Sequence, residues 1–361
     1  EVVVFSGSQS KQKYFFEHYG ASPVYSGSPV KQFFQFTVTI FYALIRSPRR
    51  SFNLFTAERR DGSTFSESVK NIYLNSHIIN HKLDWLHFGF ATMALKRENV
   101  AKAIGAKMGV SFRGYDINIF PSKNKNCYAK LWKNADKVHT ISSYLYEKAL
   151  RLGLSKNISY KKITPAIDIK LFKPKENSGM NGTPVKILTV GRLNWIKNYE
   201  TAISVMKILK KSGIDFIYNI IGEGKELERL KFAVHQSYLN DRVFFLGKME
   251  HKNITEQMRE SDIYFQPSMQ EGFGVAVLEA QATGLPCIVS DADGLKENII
   301  DGKTGWIVSK RDPEAIAEKF REVLALSVDE RRIIATNAAQ RVEKEFNINN
   351  QIKKFTEFFS E

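Results

Sequence analysis

Residues 263–290, IYFQPSMQEGFGVAVLEAQATGLPCIVS, contain the pattern of one β–α–β unit. The β-rich run IYFQPS is followed by turn residues, a helix of small residues is predicted to begin at Val275, and Gly284 and Pro286 end it before the run PCIVS. The runs VKILTVG, FIYNIIG, VFFLG and GWIVS alternate in the same way with segments of helical period. This alternation predicts a parallel sheet with helices on both faces.

A similar but less regular alternation occupies the first half of the chain. Its β-rich runs are VVVFSG, LDWLHFG, MGVSFRG, KVHTIS and KKITPAI. A chain of 361 residues is too long for one ordinary core, and residues 175–184 are polar and rich in turn formers. We therefore predict two α/β domains, residues 1–175 and 185–345, followed by a C-terminal helix, residues 346–361, that could pack against either domain.

Basic residues are concentrated in the first half. Residues 1–175 hold 28 Lys and Arg against 11 Asp and Glu, an excess of 17, whereas residues 176–361 hold 25 against 27. Such asymmetry predicts a polyanionic partner for the first half: nucleic acid, an acidic membrane surface or a phosphorylated substrate. The sequence lacks helix-turn-helix, zinc-ligand and RNP-like patterns, so we expect no nucleic-acid partner.

Cysteine content and hydropathy constrain the location. Cys127 and Cys287 are the two cysteines, which excludes a disulfide-dense scaffold and favours a reducing compartment. No apolar run reaches the roughly 18 residues that a transmembrane helix needs. We therefore expect a cytoplasmic protein that is soluble or peripheral to a membrane.

Ligands of open parallel sheets bind beyond the carboxyl ends of the strands, so the residues after each β-rich run are candidate site residues. After VKILTV, Arg192 and Lys197 lie at the start of a helix and could clamp a diphosphate, although cations at such positions are also commonly solvated. After FIYNII, Gly222 begins a Gly-x-Gly, which is also a common turn.

After IYFQPS, two carboxylates lie eight residues apart, at Glu271 and Glu279. Between them, Gly272 and Gly274 would let backbone N–H groups approach a ligand, because glycine has no Cβ. Glu279 has small apolar neighbours and would be partly desolvated unless it met a hydroxyl or a cation. The alternative is that Glu279 faces solvent.

These motifs together resemble the retaining family 4 glycosyltransferases of the GT-B fold. The matching segments, within residues 80–345, are ITPAIDIKLFKP, VGRLNWIKN, IGEGKELERL, VFFLG and EGFGVAVLEAQATGLPCIVSDADGLKENIIDGKTGWIV. The two glutamates match that family's E-x7-E motif. The resemblance implies an α/β GT-B protein, with two Rossmann-like domains facing an interdomain cleft. The N-terminal domain would bind the acceptor and the C-terminal domain the nucleotide sugar.

The resemblance also implies a role for each motif residue. Three would be catalytic: Arg192 and Lys197 would bind the donor diphosphate and stabilise the leaving nucleotide, and Glu271 would accept hydrogen bonds from the donor sugar. Glu279 would hold the ribose hydroxyls. The other donor-binding residues implied are Gly222, Lys248, Met249, Gly272, Phe273, Gly274 and Val275. Because two cations replace the metal in this family, no metal and no cofactor are expected.

The first half departs from the family pattern at two points. SFRGYD stands where many relatives carry His-Gly, so Arg113 and Asp116 would contact donor or acceptor, or pair with each other. His87 is a weaker candidate, for which a structural role is the alternative. Relatives begin with a strand and a glycine-rich loop, and we interpret the opening EVVVFSG as the second strand of the domain.

Residues 31–50, KQFFQFTVTIFYALIRSPRR, predict an amphipathic helix beside a basic cluster. Apolar residues recur at helical spacing from Phe33 to Ile45, and Arg46, Arg49 and Arg50 follow them. An apolar face next to cations suits a helix that lies in an anionic membrane surface. The alternative is that this face packs on the N-terminal sheet.

The resemblance therefore implies a retaining hexosyltransferase of bacterial polysaccharide or lipopolysaccharide synthesis. It would move a hexose from a UDP- or GDP-sugar to a glycan or a lipid-linked saccharide. We expect it to be cytoplasmic, and peripheral on the inner face of the cytoplasmic membrane. The alternatives are an inactive or truncated relative that binds a nucleotide sugar, and a GT-B sugar-nucleotide epimerase.

Overall fold

The computed structural model describes residues 2–6, 17–22, 27–174 and 183–360. Most of the predicted linker, residues 175–184, lies outside the described residues. Contacts divide the chain into two compact units. Unit 1 comprises Glu1–Thr140 and Glu147–Lys161, and unit 2 comprises Ile141–Tyr146 and Lys162–Glu361. The domain limits expected from the sequence stay predictions.

Short parallel strands form the sheets of the first part of the chain. The strands are β1 (Val3–Ser6), β2 (Glu17–Gly20), β3 (Trp85–Phe88), β4 (Lys107–Phe112), β5 (Lys137–Thr140) and β6 (Ser159–Lys162). Strands β1 and β2 pair with each other, and β3 to β6 form a four-stranded sheet in chain order. The pairs β3–β4 and β4–β5 are parallel, so the loops that follow β3 and β4 leave from the same edge.

The helices of this part vary widely in length. They are α1 (Pro29–Arg46), α2 (Pro48–Arg60), α3 (Phe65–Ile79), α4 (Ala91–Ala94), α5 (Val100–Ile104), α6 (Phe120–Lys123), α7 (Ala129–Asn134) and α8 (Ser143–Arg151), with a π-helix at Tyr115–Ile119. Helix α3 begins at a capping box in which Thr64 and Glu67 satisfy each other's backbone N–H.

Helix α1 packs on α3. The rings of Phe36 and Tyr73 lie 5.0 Å apart, and Gln32 Nε2 donates to Tyr73 Oη at 3.3 Å. Phe33 and Phe34, which begin the predicted apolar face, are exposed. That face therefore remains in contact with solvent in the described part of the chain. No helix in the described ranges combines the length and apolar character needed to cross a bilayer.

Unit 2 contains a six-stranded sheet in which every described strand pairing is parallel. The strands are β7 (Val185–Val190), β8 (Phe216–Ile221), β9 (Val243–Gly247), β10 (Ile263–Gln266), β11 (Cys287–Ser290) and β12 (Trp306–Val308). The helices are α9 (Tyr199–Lys211), α10 (Leu227–Gln236), α11 (His251–Glu260), α12 (Val275–Ala282), α13 (Pro313–Ala325), α14 (Val328–Glu345) and α15 (Ile348–Ser360), with 3₁₀ turns at Trp195–Lys197 and Asp293–Asn298.

The strand order β12–β11–β10–β7–β8–β9 contains one reversal, between β7 and β10. Strands β8 and β9 extend from β7 in one direction, and β11 and β12 extend from β10 in the other. The connections after β7 and β10 therefore diverge to opposite faces of the sheet. In open α/β sheets, this arrangement leaves a crevice beyond the carboxyl ends of the two strands, where ligands bind.

The core of unit 2 holds these strands in place. Strand β10 is buried throughout, and its Phe265 meets Phe320 of α13 edge to face, with ring centroids 5.1 Å apart. Both rings are fully buried. Helix α13 begins where the Asp312 side chain accepts from Ala315 N, with Pro313 at the first helical position.

Phe265→Ala is expected to lower the free energy of unfolding of unit 2 by about 3–5 kcal/mol. The substitution leaves a cavity beside Phe320, and the surrounding core can collapse into that cavity only in part. Phe232→Ala is the control: that ring lies on α10 and is 61% exposed, so the change should stay within about 0.5 kcal/mol. Urea unfolding followed by circular dichroism measures both. Equal effects for the two variants would contradict the packing described.

Candidate functional site

The predicted diphosphate and sugar residues meet at the reversal of the unit 2 sheet. Lys197 follows β7, Glu271 follows β10, and Lys197 Nζ lies 2.6 Å from Glu271 Oε2. The two side chains are 16% and 19% exposed, so the ion pair is largely shielded from water. The structure thus brings together two residues 74 positions apart in the chain, at the place where this sheet topology favours a ligand.

Backbone contacts fix the two loops against each other. The Ile196 carbonyl accepts from Met269 N at 2.8 Å and from Gln270 N at 3.3 Å. The side-chain amide of Asn198 donates to the backbone carbonyls of Pro267 and Lys310, both at 3.1 Å. The position of the Lys197–Glu271 pair is therefore set by backbone hydrogen bonds as well as by charge.

Arg192 occupies the same loop, but its side chain is exposed. Among the described residues it forms no ion pair, and the structure does not bring it to Lys197 or Glu271 through any described contact. Its neighbour Gly191 is held by Tyr199, whose hydroxyl donates to the Gly191 carbonyl at 2.9 Å. Burial raises the pKa of Tyr199 well above its ordinary value, so this hydroxyl keeps its proton.

The loop after β10 is held through its carbonyl groups. Gly294 N donates to the Glu271 carbonyl at 3.1 Å, and the Asn298 amide donates to the carbonyls of Phe273 and Gly274. In the described part of the chain, the N–H groups of Gly272, Phe273 and Gly274 donate no hydrogen bond. The carbonyls of Glu271, Phe273 and Gly274 are thus occupied, whereas these three N–H groups have no partner in that part of the chain.

Gly274 must be glycine at this point. Its φ is 96°, and a Cβ there would lie 2.6 Å from Leu295 Cδ1. It precedes Val275, the first residue of α12, which is exposed. The Phe273 side chain is buried, with its ring 5.8 Å from that of Phe346, so only its backbone can serve a ligand.

Close contacts with a neighbouring loop explain why residues 222 and 224 are glycines, which could not be inferred from the sequence. A Cβ on Gly222 would lie 2.0 Å from the Gly191 carbonyl oxygen, and one on Gly224 would lie 2.1 Å from the Leu193 carbonyl oxygen. Leu193 N also donates to the Glu223 carbonyl at 2.8 Å. The loop after β8 thus supports the loop that carries Arg192 and Lys197, which explains both glycines without a ligand.

Glu279 is 8% exposed and does not face solvent. Burial raises the pKa of its carboxyl, and the nearby His251 acts in the opposite direction. His251 Nδ1, at the start of α11, lies 4.0 Å from Glu279 Oε1. The loop between β9 and α11 also carries Lys248, which is exposed, and Met249, which is half-buried.

Unit 1 places Asp116 in a structural position. The residue is fully buried; its Oδ1 accepts from Thr92 N at 3.1 Å and Thr92 Oγ1 at 2.9 Å, and its Oδ2 accepts from Arg113 N at 3.1 Å. The Arg113 guanidinium instead lies over the Phe90 ring, 5.1 Å from its centroid. Arg113 and Asp116 are therefore joined through the backbone, and no ion pair between them is seen among the described residues.

His87 lies in a buried polar row across three strands. His87 Nε2 is 2.7 Å from Ser111 Oγ, which is 2.7 Å from His139 Nδ1. Burial, with a smaller contribution from His139, lowers the pKa of His87 to about 4. A neutral, hydrogen-bonded histidine inside the sheet fits the structural alternative given above.

Sequence reasoning missed three residues that shape this site: Asn298, His251 and Tyr199. Asn298 lies 25 residues from Phe273, and His251 lies far along the chain from Glu279, so no spacing rule connects them. Tyr199 is the only one with a local signal, since it begins the helix that follows Lys197.

Glu279→Gln is expected to raise the melting temperature at about pH 7, because it removes a carboxylate whose burial is unfavourable. The folded-state pKa lies above the ordinary value of 4.5, so ionisation of Glu279 destabilises the fold as pH rises through the folded-state pKa. The gain should disappear below the ordinary pKa, where the carboxyl is protonated in both states. Differential scanning fluorimetry across pH measures this.

Glu256→Gln, at an exposed position on α11, serves as the matched control and should leave the melting temperature almost unchanged. A lower melting temperature for Glu279→Gln at neutral pH would show that the buried carboxylate is stabilised in the fold, contrary to this account.

The second part of the chain is similar to a known protein family. Residues 172–341 match the protein family described as "Glycosyl transferases group 1". This range includes β7 to β12, the Lys197–Glu271 pair and Glu279, and it ends within α14. The chain is similar to AmsK, an amylovoran biosynthesis glycosyltransferase of Erwinia amylovora, with 30% identity over 273 residues. That alignment covers 73% of this chain and 66% of AmsK, so the chain spans about two thirds of this relative.

Two further proteins extend the comparison. The GDP-mannose-dependent alpha-(1-6)-phosphatidylinositol monomannoside mannosyltransferase of Mycobacterium tuberculosis is 24% identical over 282 residues, which are 73% of this chain and 72% of the relative. The structure resembles Anabaena HepE in complex with UDP and glucose, with a TM-score of 0.68 and 17% identity, over 82% of this chain and 80% of HepE. The predicted GT-B fold is confirmed, and the similarity to the group 1 glycosyl transferases covers residues 172–341.

Proposed function

We propose that this chain is a retaining glycosyltransferase that moves a hexose from a UDP- or GDP-sugar to a glycan or lipid-linked saccharide in envelope polysaccharide synthesis. The observation that carries the proposal is the Lys197–Glu271 ion pair, which lies at the reversal of a parallel sheet. The similarity to AmsK supports polysaccharide synthesis. HepE with UDP and the GDP-mannose-dependent relative support a nucleotide-linked donor.

Lys197 and Arg192 are the groups that we assign to the donor diphosphate. Lys197 is the partly buried cation of the site, and Arg192 is an exposed cation on the same loop that makes no ion pair in the described ranges. Cations stabilise the negative charge that builds on a leaving phosphate, and they act more strongly where water is excluded. In this role they stabilise the transition state more than the bound donor.

Glu271 and the N–H groups of Gly272, Phe273 and Gly274 are assigned to the donor sugar. A carboxylate accepts hydrogen bonds from hydroxyls, and unpaired N–H groups donate to their oxygens. Glu279 is assigned to the ribose, since two hydroxyls would satisfy a buried carboxylate whose nearest described basic side chain is His251, with Nδ1 at 4.0 Å. Val275, Gly222, Lys248 and Met249 would line the nucleotide.

In the proposed reaction, the bond from the sugar C1 to the phosphate oxygen breaks while a bond from C1 to the acceptor oxygen forms on the same face. The acceptor proton passes to an oxygen of the leaving phosphate, so no side chain has to act as base. A double displacement would need a free carboxylate nucleophile. Glu271 is bound to Lys197 at 2.6 Å, which favours a positioning role over nucleophilic attack.

Lys197→Ala and Glu271→Gln are each expected to lower kcat about 10²–10³-fold, the usual loss for a group that stabilises transition-state charge. The assay is turnover of UDP-glucose and GDP-mannose, with the anomeric form of the product sugar read by proton NMR. Retention of the donor's α configuration is expected.

Lys207→Ala, at an exposed position on α9, is the control and should keep wild-type turnover. Near-normal turnover of Glu271→Gln would overturn the role given to that residue. If UDP and GDP raise the melting temperature of the wild type but no sugar is transferred or released, the binding-only alternative holds. Formation of a different nucleotide sugar would instead indicate an epimerase.

We further propose that α1 attaches the protein to the anionic inner face of the cytoplasmic membrane. Phe33, Phe34, Phe41 and Ile45 project from α1 with exposed fractions between 64% and 72%. Arg46 follows them and is exposed, and exposed Arg49 lies at the start of α2. An apolar helix face flanked by cations binds anionic lipid through both apolar burial and charge attraction.

The wild type is expected to float with vesicles that contain phosphatidylglycerol at low salt, and to float less as salt rises. Replacing Phe33 and Phe41 with Ser should reduce flotation at least several-fold, since each ring contributes apolar area to the bound helix. Phe232→Ser, at an exposed position of unit 2, is the control. Absence of binding by folded wild-type protein would end this proposal.

A further inference from the structure

The exposed surface beyond β3 and β4 of unit 1 has the chemistry of a second binding site. The segment after β3 carries Phe90 in its loop and Met93 in α4, which are 39% and 43% exposed. The loop after β4 carries Arg113 and Tyr115, and Tyr115 is 55% exposed. Since the two strands are adjacent and parallel, their carboxyl ends place these four side chains on one edge of the sheet.

The Arg113 guanidinium has no carboxylate partner among the described residues. Its guanidinium carbon lies 5.1 Å from the centroid of the Phe90 ring, and no carboxylate binds the side chain within the described ranges. A guanidinium is planar and carries its N–H groups in a fixed fork, which suits bidentate binding of a carboxylate or phosphate. Contact with the Phe90 ring also restricts the side chain, which lowers the entropy that binding would otherwise cost.

The buried Asp116 makes this surface rigid. One of its oxygens holds Thr92, at the start of α4, and the other holds the backbone N–H of Arg113. The loops that carry Phe90 and Arg113 are thereby fixed to each other through a carboxylate that solvent does not reach. A preorganised site loses less freedom when a ligand binds.

The backbone after β4 supports the same conclusion. Tyr115 begins a π-helix of five residues, Tyr115–Ile119, and π-helical turns are frequent at functional sites. Its ring lies 6.3 Å from that of Phe120, and the residue is 55% exposed, so much of the side chain is accessible to a flat apolar group. The C–H face of a hexose ring is such a group.

We propose that this surface binds an anionic saccharide, with the anion on Arg113 and the sugar ring on Tyr115, and that this saccharide is the acceptor. The identification as acceptor rests on the glycosyltransferase function proposed above; the binding site itself does not. The anion is either the carboxylate of a sugar acid or the phosphate that links a saccharide to a lipid carrier. Both present two oxygens to a guanidinium, so the structure assigns the shared chemistry.

Binding of defined saccharides to the full chain tests the inference without any transfer reaction. Two pairs serve as probes: methyl glucuronide against methyl glucoside, and glucose 1-phosphate against glucose, each measured by titration in NMR. The wild type should bind at least one anionic member about tenfold more tightly than its neutral partner. The pair that shows the preference identifies the source of the anion.

Arg113→Gln should abolish the preference, and Arg113→Lys should restore only part of it, because an ammonium cannot bind both oxygens from a stacked position. Tyr115→Ala should weaken the anionic and neutral members of a pair to a similar extent. Lys102→Gln, at an exposed position of α5, is the control and should behave as the wild type.

Two outcomes would overturn the inference: no preference for the anion in either pair, or a preference that survives Arg113→Gln. The thermal shift produced by UDP or GDP is recorded for every variant and should be unchanged by Arg113→Gln. If UDP and GDP produce no thermal shift in the wild type, the proposed function is contradicted, and the saccharide-binding result still tests the unit 1 site separately. If the thermal shift is present but neither pair shows a preference for the anion, only the proposed saccharide site is contradicted.

Discussion

The candidate donor site depends on the close approach of the loops that follow β7 and β10. Lys197 and Glu271 bring opposite charges to 2.6 Å at that point, and both are largely shielded from water. Either charge alone would be unfavourable there, since a charge shielded from water that loses its partner still carries its desolvation cost. The glycines at 222 and 224 let the loop after β8 support the loop after β7, because their backbone meets that loop at distances that no Cβ tolerates.

Burial is also unfavourable for the ionised form of Glu279, the second carboxylate of the E-x7-E motif. Glu279 lies on a helix of small residues, where its ionised form is disfavoured and its pKa rises. Such a residue weakens the fold unless a ligand supplies hydrogen-bond donors. Groups that are buried unfavourably in this way are concentrated at functional sites, where a lower stability of the fold accompanies tighter binding of a ligand. The same conflict is absent from Asp116 of unit 1, whose two oxygens both accept hydrogen bonds from the protein.

The two units share one arrangement. In each, parallel strands end at an edge from which the following loops leave, and buried groups fix those loops and leave a few polar groups without a partner among the described residues. In unit 2 Asn298 holds the carbonyls and leaves N–H groups unpaired. In unit 1 Asp116 holds the N–H groups and leaves the Arg113 guanidinium unpaired in the described structure.

The parallel α/β architecture of unit 2 could be predicted from the sequence, because strand and helix periods, turn residues and glycines are local properties of the chain. Lys197 and Glu271 could also be identified as candidates because each follows a strand, and Glu279 because it lies eight residues after Glu271. Only the tertiary structure decided that Lys197 pairs with Glu271, that Asn298 and His251 belong to the site, and that Asp116 is structural while Arg113 is exposed. Those facts depend on contacts between distant segments, which strand order and burial fix and local spacing does not encode.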